Sequence, residues 1–261
     1  MEIVPLNQSL EPTFWKCVNK DIPHYFFFAL DWKHSRTETK ILLALKKKRI
    51  DGMMLIFNDR FVQLRGSIES IEALLKKLDL EKVELQTLWQ HRHKITKKYE
   101  PVWSHELMLM TLKKGEERLG MTHPIVTLEE SDSEQIADMM TRVNPESWGD
   151  ITTDAIVEGM SKTIWIGIKM RDELVSIGRM RLAENVGHIP TVATHEAYRN
   201  KGYATSIVSH LVKMIFKETP LAILYVLSDN PSAIRVYKKV GFKPYRKYFF
   251  MKGESVRERK L

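Results

Sequence analysis

The stretch ATHEAYRNKGYATSIVSHLVKMIF, residues 193–216, decides how this chain is read. Strand-like residues lead into a charged knot, Arg199-Asn200-Lys201-Gly202-Tyr203-Ala204, and an apolar helix pattern follows at once. Ile207, Val208, Leu211, Val212 and Ile215 fall on one side of that helix. Gly202 lets backbone approach an anion without a Cβ in the way. A helix starting near Ala204 turns the free N–H groups of its first turn, and the positive end of its dipole, toward the knot. Arg199 and Lys201 add positive charge, and the assembly suits a pyrophosphate. The spacing R-x-x-G-x-A is neither a Walker loop nor a dinucleotide fingerprint. Taken alone, it is better read as a polar turn between a strand and a helix.

Downstream, DNPSAIRVYKKVGF reads as a second helix, with Asn at its start, Pro early and Gly241 past its end. Asn230 and Tyr237 are almost two helical turns apart and share a face. Asn230 can cap the helix or reach a ligand, and Tyr237 can be core or site. Working outward, a short strand at 125–128 precedes a helix with Ile136, Met139, Met140 and Val143 in register, capped by Ser131 or Ser133. A further helix is expected near TTDAIVEGM. TIWIGIKMRDELVSIGRMRLAENVGHIPTVAT reads as three strands broken at RDE and AENVG. LAILYVLS is a buried strand, and KPYRKYFFMK closes the pattern. The order β-α-α-β-β-β-α-β-α-β predicts an α/β (α+β) fold, a mixed central sheet with helices on both faces.

Residues from about Ile125 to Met251 resemble the GCN5-related N-acetyltransferase (GNAT) superfamily. VATHEAYRNKGYAT is similar to its acyl-CoA loop, V-x-P-x-x-[RQ]-x-x-G-x-[GA]. LSDNPSAIRVYKKVGF is similar to its N-x-x-[AS]-x-x-x-Y-x-x-x-GF segment. Two motifs in the right order, with a helix and strand between, are more specific than either alone. The resemblance implies that backbone of the strand Val192, Ala193 and Thr194 holds the pantetheine arm of acetyl-CoA. It gives the pyrophosphate to the loop Arg199, Asn200, Lys201, Gly202, Tyr203, Ala204 and Thr205. Asn230 and Ala233 line the arm, and Tyr237 sits beside the thioester sulfur. Glu196 stands where many members have Pro, and Ala204 where many have Gly.

Acetyl transfer to an amine needs a proton acceptor for the amine, N–H donors for the oxyanion and a proton for the leaving thiolate. Tyr237 can supply the last as general acid, and the amide near Val192 the second. Several relatives place a catalytic Glu eleven residues before the loop arginine; here that position is His188, with Glu184 and Glu196 as fallback bases. The expected function is N-acetylation of a primary amine by direct attack, with no metal. The alternative is a catalytically silent acyl-CoA-binding sensor or scaffold. Glu129, Glu130, Asp132, Glu146, Asp150 and Asp154 can attract a cationic acceptor or form a solvated face, and the second is expected. The acceptor is a small-molecule or protein amine that the sequence does not name.

The pattern resets at KKGEERLGMTHP (113–124), which predicts domains over 1–120 and 121–261. The first half echoes the second: ILLALKKKRIDGMMLIF parallels IWIGIKMRDELVSIGRM, FVQLRGSIESIEALLKKL moves from strand to helix, and VELQTLW parallels AILYVLS. The expectation is a tandem chain whose first copy is degenerate. Its junction QLRGSIES is too short for the loop, no Asn-Tyr pair follows, and no cofactor is expected there. That copy can wall the acceptor cleft, complete the sheet or mediate homodimerisation. TFWK and HYFFFALDW read as core, and His91 and His93 as weak metal candidates on a strand or loop. The net charge of +8 is spread over runs at 46–49, 91–98 and 257–260. Such scattered lysines and arginines are read as solvated faces rather than a nucleic-acid surface. No apolar run approaches a membrane span, and Cys17, the single cysteine, fits a reducing cytoplasm.

Overall fold

The computed structural model describes residues 1–256, so the basic run at 257–260 lies outside the described residues. The chain forms two compact units. The first comprises Met1–Leu109, Leu227–Asp229 and the segment from Tyr245 on; the second comprises Met110–Val226 and Asn230–Pro244.

Unit 1 contains β1 (Glu2–Pro5), α1 (Glu11–Val18), α2 (Phe26–His34), β2 (Thr39–Lys46), β3 (Arg49–Phe57), β4 (Phe61–Gly66), α3 (Ile68–Leu75), β5 (Lys82–Leu88) and α4 (Arg92–Ile95). The unit boundary falls within β6 (Tyr99–Lys113). Its strands run β1-β2-β3-β4-β5 and then β12 (Lys243–Ser255), with only β4 and β5 parallel. Alternation of side chains along β2 and β3 sends Ile41, Leu43, Met53 and Leu55 to Phe14, Phe28 and Trp32. Ala44 and Met54 join Leu64 and Leu85 against Ile71 and Leu74 of α3. The aromatic blocks of the first half are therefore core. His91 is buried in a single 3-10 turn and His93 lies on α4, not on a strand. No metal-ligand cluster occurs among the described residues.

Unit 2 contains β7 (Val126–Thr127), α5 (Ser133–Val143), α6 (Pro145–Trp148), α7 (Thr153–Met160), β8 (Ile164–Met170), β9 (Glu173–Ala183), β10 (Val186–Thr194), α8 (Tyr203–Glu218), β11 (Leu221–Leu227) and α9 (Pro231–Val240). The order is β7-β8-β9-β10-β11, with only β10 and β11 parallel. Both units thus repeat one pattern, helices (two in unit 1, three in unit 2), a three-strand meander, a crossover helix and a parallel strand.

The expected hairpin breaks fall on Arg171-Asp172 and Glu184-Asn185, both pairs at positive φ. Neither Ser131 nor Ser133 caps α5; a 3-10 turn over Glu130–Asp132 feeds straight into it, and Glu129 and Asp132 form the capping box one turn earlier. α8 seats closely on one face of the sheet, because a Cβ at Gly178 would lie 2.4 Å from Ile207 and one at Gly187 2.3 Å from Ile215. The opposite face carries Trp165, Ile177 and Ala193 packed against Ile136, Met139, Met140 and Ile156. Among the described residues no helix is long and apolar enough to cross a membrane.

Candidate active site

β10 and β11 pair only over Val186–Ile189 and Leu221–Leu224. Pro190 follows, without an N–H to continue the ladder. On its other side β10 stays paired with β9 through Thr194, after a register shift between His188 and Thr191. Residues 190–194, including Val192, Ala193 and Thr194, therefore have backbone on one edge without a strand partner. That edge is where an extended ligand can complete a ladder.

The chain then makes a 3-10 turn over Glu196–Tyr198 and enters α8 through two left-handed residues, Asn200 at φ 64° and Gly202 at φ 86°. α8 starts with no side-chain cap. Its first-turn N–H groups at Tyr203, Ala204 and Thr205 are thus open to a ligand, next to a glycine whose φ other residues resist. Tyr203 and Thr205 have buried side chains that support this turn, so they offer backbone rather than side chain. Arg199 and Lys201 are exposed, but both heads fold back locally. Arg199 Nε donates to the Thr194 carbonyl, and Lys201 Nζ donates to the Ala197 carbonyl while lying over the Tyr198 ring. From the linker, Thr122 donates its N–H to Ser206 Oγ, and the His123 ring lies 4.4 Å from that of Tyr203. His123 also comes within 3.4 Å of where a Cβ on Gly202 would stand. No motif marked that linker histidine.

α9 begins at Asn230, whose Oδ1 accepts from the Ala233 N–H at 3.0 Å and the Ser232 hydroxyl at 2.8 Å. This leaves the side-chain NH2 of Asn230 at an exposed edge. Ala233 is half-buried, and Tyr237 is buried with its ring edge toward Phe242. Burial pushes the Tyr237 phenol up to about 12, so it keeps its proton at neutral pH. α8 and α9 pack against each other.

His188 is buried and stands directly opposite Arg181 across β9 and β10. Burial, with the charges of Arg181 and Arg179, pulls its imidazole down to about 3, so it is neutral and weakly basic. It is not the solvent-facing hairpin end that its sequence neighbours allow. Of the fallback bases, Glu184 sits on the hairpin turn and Glu196 on the exposed 3-10 turn.

Unit 1 treats the equivalent junction differently. There β4 runs into α3 through Gly66 and Ser67, and Ser67 caps the helix by accepting from the Ser70 N–H. The hydroxyls of Ser67 and Ser70 both donate to Asp51, and these bonds hold its carboxyl below the usual range. The end of α3 is thus closed by a capping serine backed by a carboxylate, where α8 has neither.

Residues 133–242 match the family model described as the acetyltransferase (GNAT) family. No curated protein matches the chain in sequence. Among solved structures, a Drosophila protein aligns at TM-score 0.71 and 9% identity over 95% of this chain and 98% of its own. A tandem GNAT protein of the clavulanic acid biosynthesis pathway aligns at TM-score 0.54 and 11% identity over 97% and 98%. A GCN5-related N-acetyltransferase from Sphaerobacter thermophilus aligns at TM-score 0.57 and 12% identity over 84% and 81%. At these identities the likeness is one of fold. Residues 133–242 thus carry the sequence match to the GNAT acetyltransferase family, and the chain, its N-terminal half included, is similar in fold to GNAT proteins.

Proposed function

We propose that unit 2 transfers an acetyl group from acetyl-CoA to a primary amine. The observation carrying this reading is the pairing of an uncapped, glycine-entered α8 with a strand edge left open beyond Ile189. The co-substrate supplies an activated acyl thioester. Backbone at Val192 and Thr194 would hold its arm, the N–H groups from Asn200 to Thr205 its pyrophosphate, and Asn230 and Ala233 the segment near α9.

In the transfer the amine nitrogen bonds the acyl carbon, the carbon–sulfur bond breaks, and one proton leaves nitrogen while one reaches sulfur. Tyr237 holds a proton it can donate to the departing thiolate. The N–H near Val192 faces the developing oxyanion. His188 accepts a hydrogen bond from the amine, but its low basicity makes it a poor sink for an ammonium proton. The amine must then be largely neutral before it attacks. That weakness also favours the second reading, a sensor that binds acyl-CoA and turns nothing over. Unit 1 is proposed as the silent copy, its helix N-terminus capped by Ser67, which in turn donates to Asp51.

Calorimetric titration with acetyl-CoA beside a free-thiol assay over an amine panel separates these readings. Binding with amine-dependent thiol release supports the enzyme. Binding without it supports the sensor, and no binding defeats both.

A further inference from the structure

A guanidinium taken out of water needs acceptors or a counter-ion. Arg65 in unit 1 is fully buried and has them: it donates to the carbonyls of His24, Leu64 and Gln86 and to the side chains of Gln63 and Gln86. Arg179 on β9 does not. Its Nε is buried and makes no hydrogen bond, and no carboxylate pairs with it among the described residues. Its head lies 5.1 Å from the Trp165 ring and 5.9 Å from that of Trp148. The neighbouring charge acting on it is that of Arg181, which with burial pulls it down to about 10, still cationic at neutral pH.

Its neighbours share the deficit. Trp165 on β8 and Thr191 on β10 are the direct cross-strand partners of Arg179, so the three side chains form one row on one face. The Trp165 indole N–H and the Thr191 hydroxyl are also buried without a hydrogen bond. Three donors in a row with no acceptor are uncommon in a folded interior. Above the row, α7 carries Gly159 in its last turn. A Cβ there would find only Arg179 Nη1, 4.0 Å away, so the helix leaves room beside the guanidinium. Thr191 lies on the part of β10 that has parted from β11, on the same face as His188.

We propose that the row Trp165–Arg179–Thr191 receives a carboxylate, so that the acceptor amine is a small carboxylate-bearing compound of the amino-acid type. A planar carboxylate fits a guanidinium bidentately and accepts from a hydroxyl and an indole N–H as well. The choice of acceptor rests on the acetyl-transfer reading; the anion site does not. Glu129, Glu130, Asp132, Glu146, Asp150 and Asp154 then serve other purposes than recruiting a cation.

The test titrates the full chain, with and without CoA, with free amino acids, their amides and their decarboxylated amines, followed by calorimetry and tryptophan fluorescence. Arg179→Gln and Arg179→Lys are run in parallel, with thermal melts to establish that they fold. Wild type should bind acids at least tenfold tighter than amides. That preference should vanish in Arg179→Gln and survive in part in Arg179→Lys, with acetyl-CoA affinity unchanged. Equal binding of acids and amides, no binding of any acid, or an unaltered preference in Arg179→Gln overturns the site. Arg179-dependent binding of acids without acetyl-CoA binding would retain the site and discard acetyl transfer. Acetylation of amino acids and of their decarboxylated amines at equal rates, unaltered in Arg179→Gln, would do the reverse.

Discussion

The Ser67 hydroxyl donates to the Asp51 carboxylate at the N-terminus of α3. The corresponding end of α8 has Gly202 at that place and no capping side chain. One fold thus presents the same helix terminus twice, once capped by a serine and once without a side-chain cap. Asp51→Ala, which takes the acceptor from the capping serine, should therefore cost unit 1 about 1 kcal/mol, the net value of a hydrogen bond. Urea unfolding would measure it, while acetyl-CoA affinity should stay at the wild-type value.

Gly202→Ala addresses the open terminus. The residue sits at φ 86°, which alanine resists, while its Cβ would meet nothing closer than 3.4 Å. The conformation rather than a clash is what changes. Acetyl-CoA binding should weaken at least tenfold with the far-ultraviolet circular dichroism unaltered. Unchanged affinity by calorimetry would remove the loop from the site.

Tyr237→Phe keeps the ring against Phe242 and removes only the proton donor. Single-turnover acetyl transfer should slow by about two orders of magnitude, with acetyl-CoA affinity within twofold. Wild-type rates in this variant would rule out Tyr237 as the acid.

The rate of transfer by wild type should climb with pH up to the acceptor's own ammonium pKa. His188, held at about 3, is already neutral and adds no limb near 6.5. A pH–rate profile with a plateau above pH 7 that His188→Gln abolishes would show instead that His188 is the working base.

Two buried histidines tie stability to acid. His24, which bonds the Tyr248 hydroxyl at 2.6 Å, is lowered to about 2, and His188 to about 3, from an ordinary 6.5. In each case burial is the leading cause. The unfolded chain takes up protons that the folded chain refuses, so this stability is fully present above about pH 6.5 and lost as pH falls toward 3. Each group contributes a slope of up to about 1.4 kcal/mol per pH unit. Urea unfolding at pH 7 and pH 5 should show a smaller difference in His24→Gln and in His188→Gln than in wild type. Equal differences in all three proteins would refute the linkage.

The strand-loop-helix unit and the helix that starts at Asn230, proposed above to hold the acyl donor, were legible in the chain because their parts are local. The loop at 199–205 and the Asn230–Tyr237 pair each lie within one turn or one helix, where spacing translates directly into geometry. The meander and the crossover helix of each unit were legible for the same reason, since period and turn residues act over a few positions. The capping of α5 was misread because Glu129 and Asp132 bond one turn before the first helical serine.

Other features depend on register and on which elements meet. Arg179 and Arg65 look alike as letters in apolar strands. Arg65 finds its acceptors through the meeting of β4, β5 and the residues before α2, while Arg179 meets Trp165 and Thr191 through a ladder shifted by the irregularity between His188 and Thr191. Asp51 reaches Ser67 across sixteen residues that no motif links. By itself, then, the sequence settled the family of fold and marked the strand-to-helix loop at 199–205. Which arginine is satisfied, which helix terminus is plugged and how basic His188 is were decided by the tertiary structure, because burial and hydrogen-bond partnership belong to the packed chain and not to any segment of it.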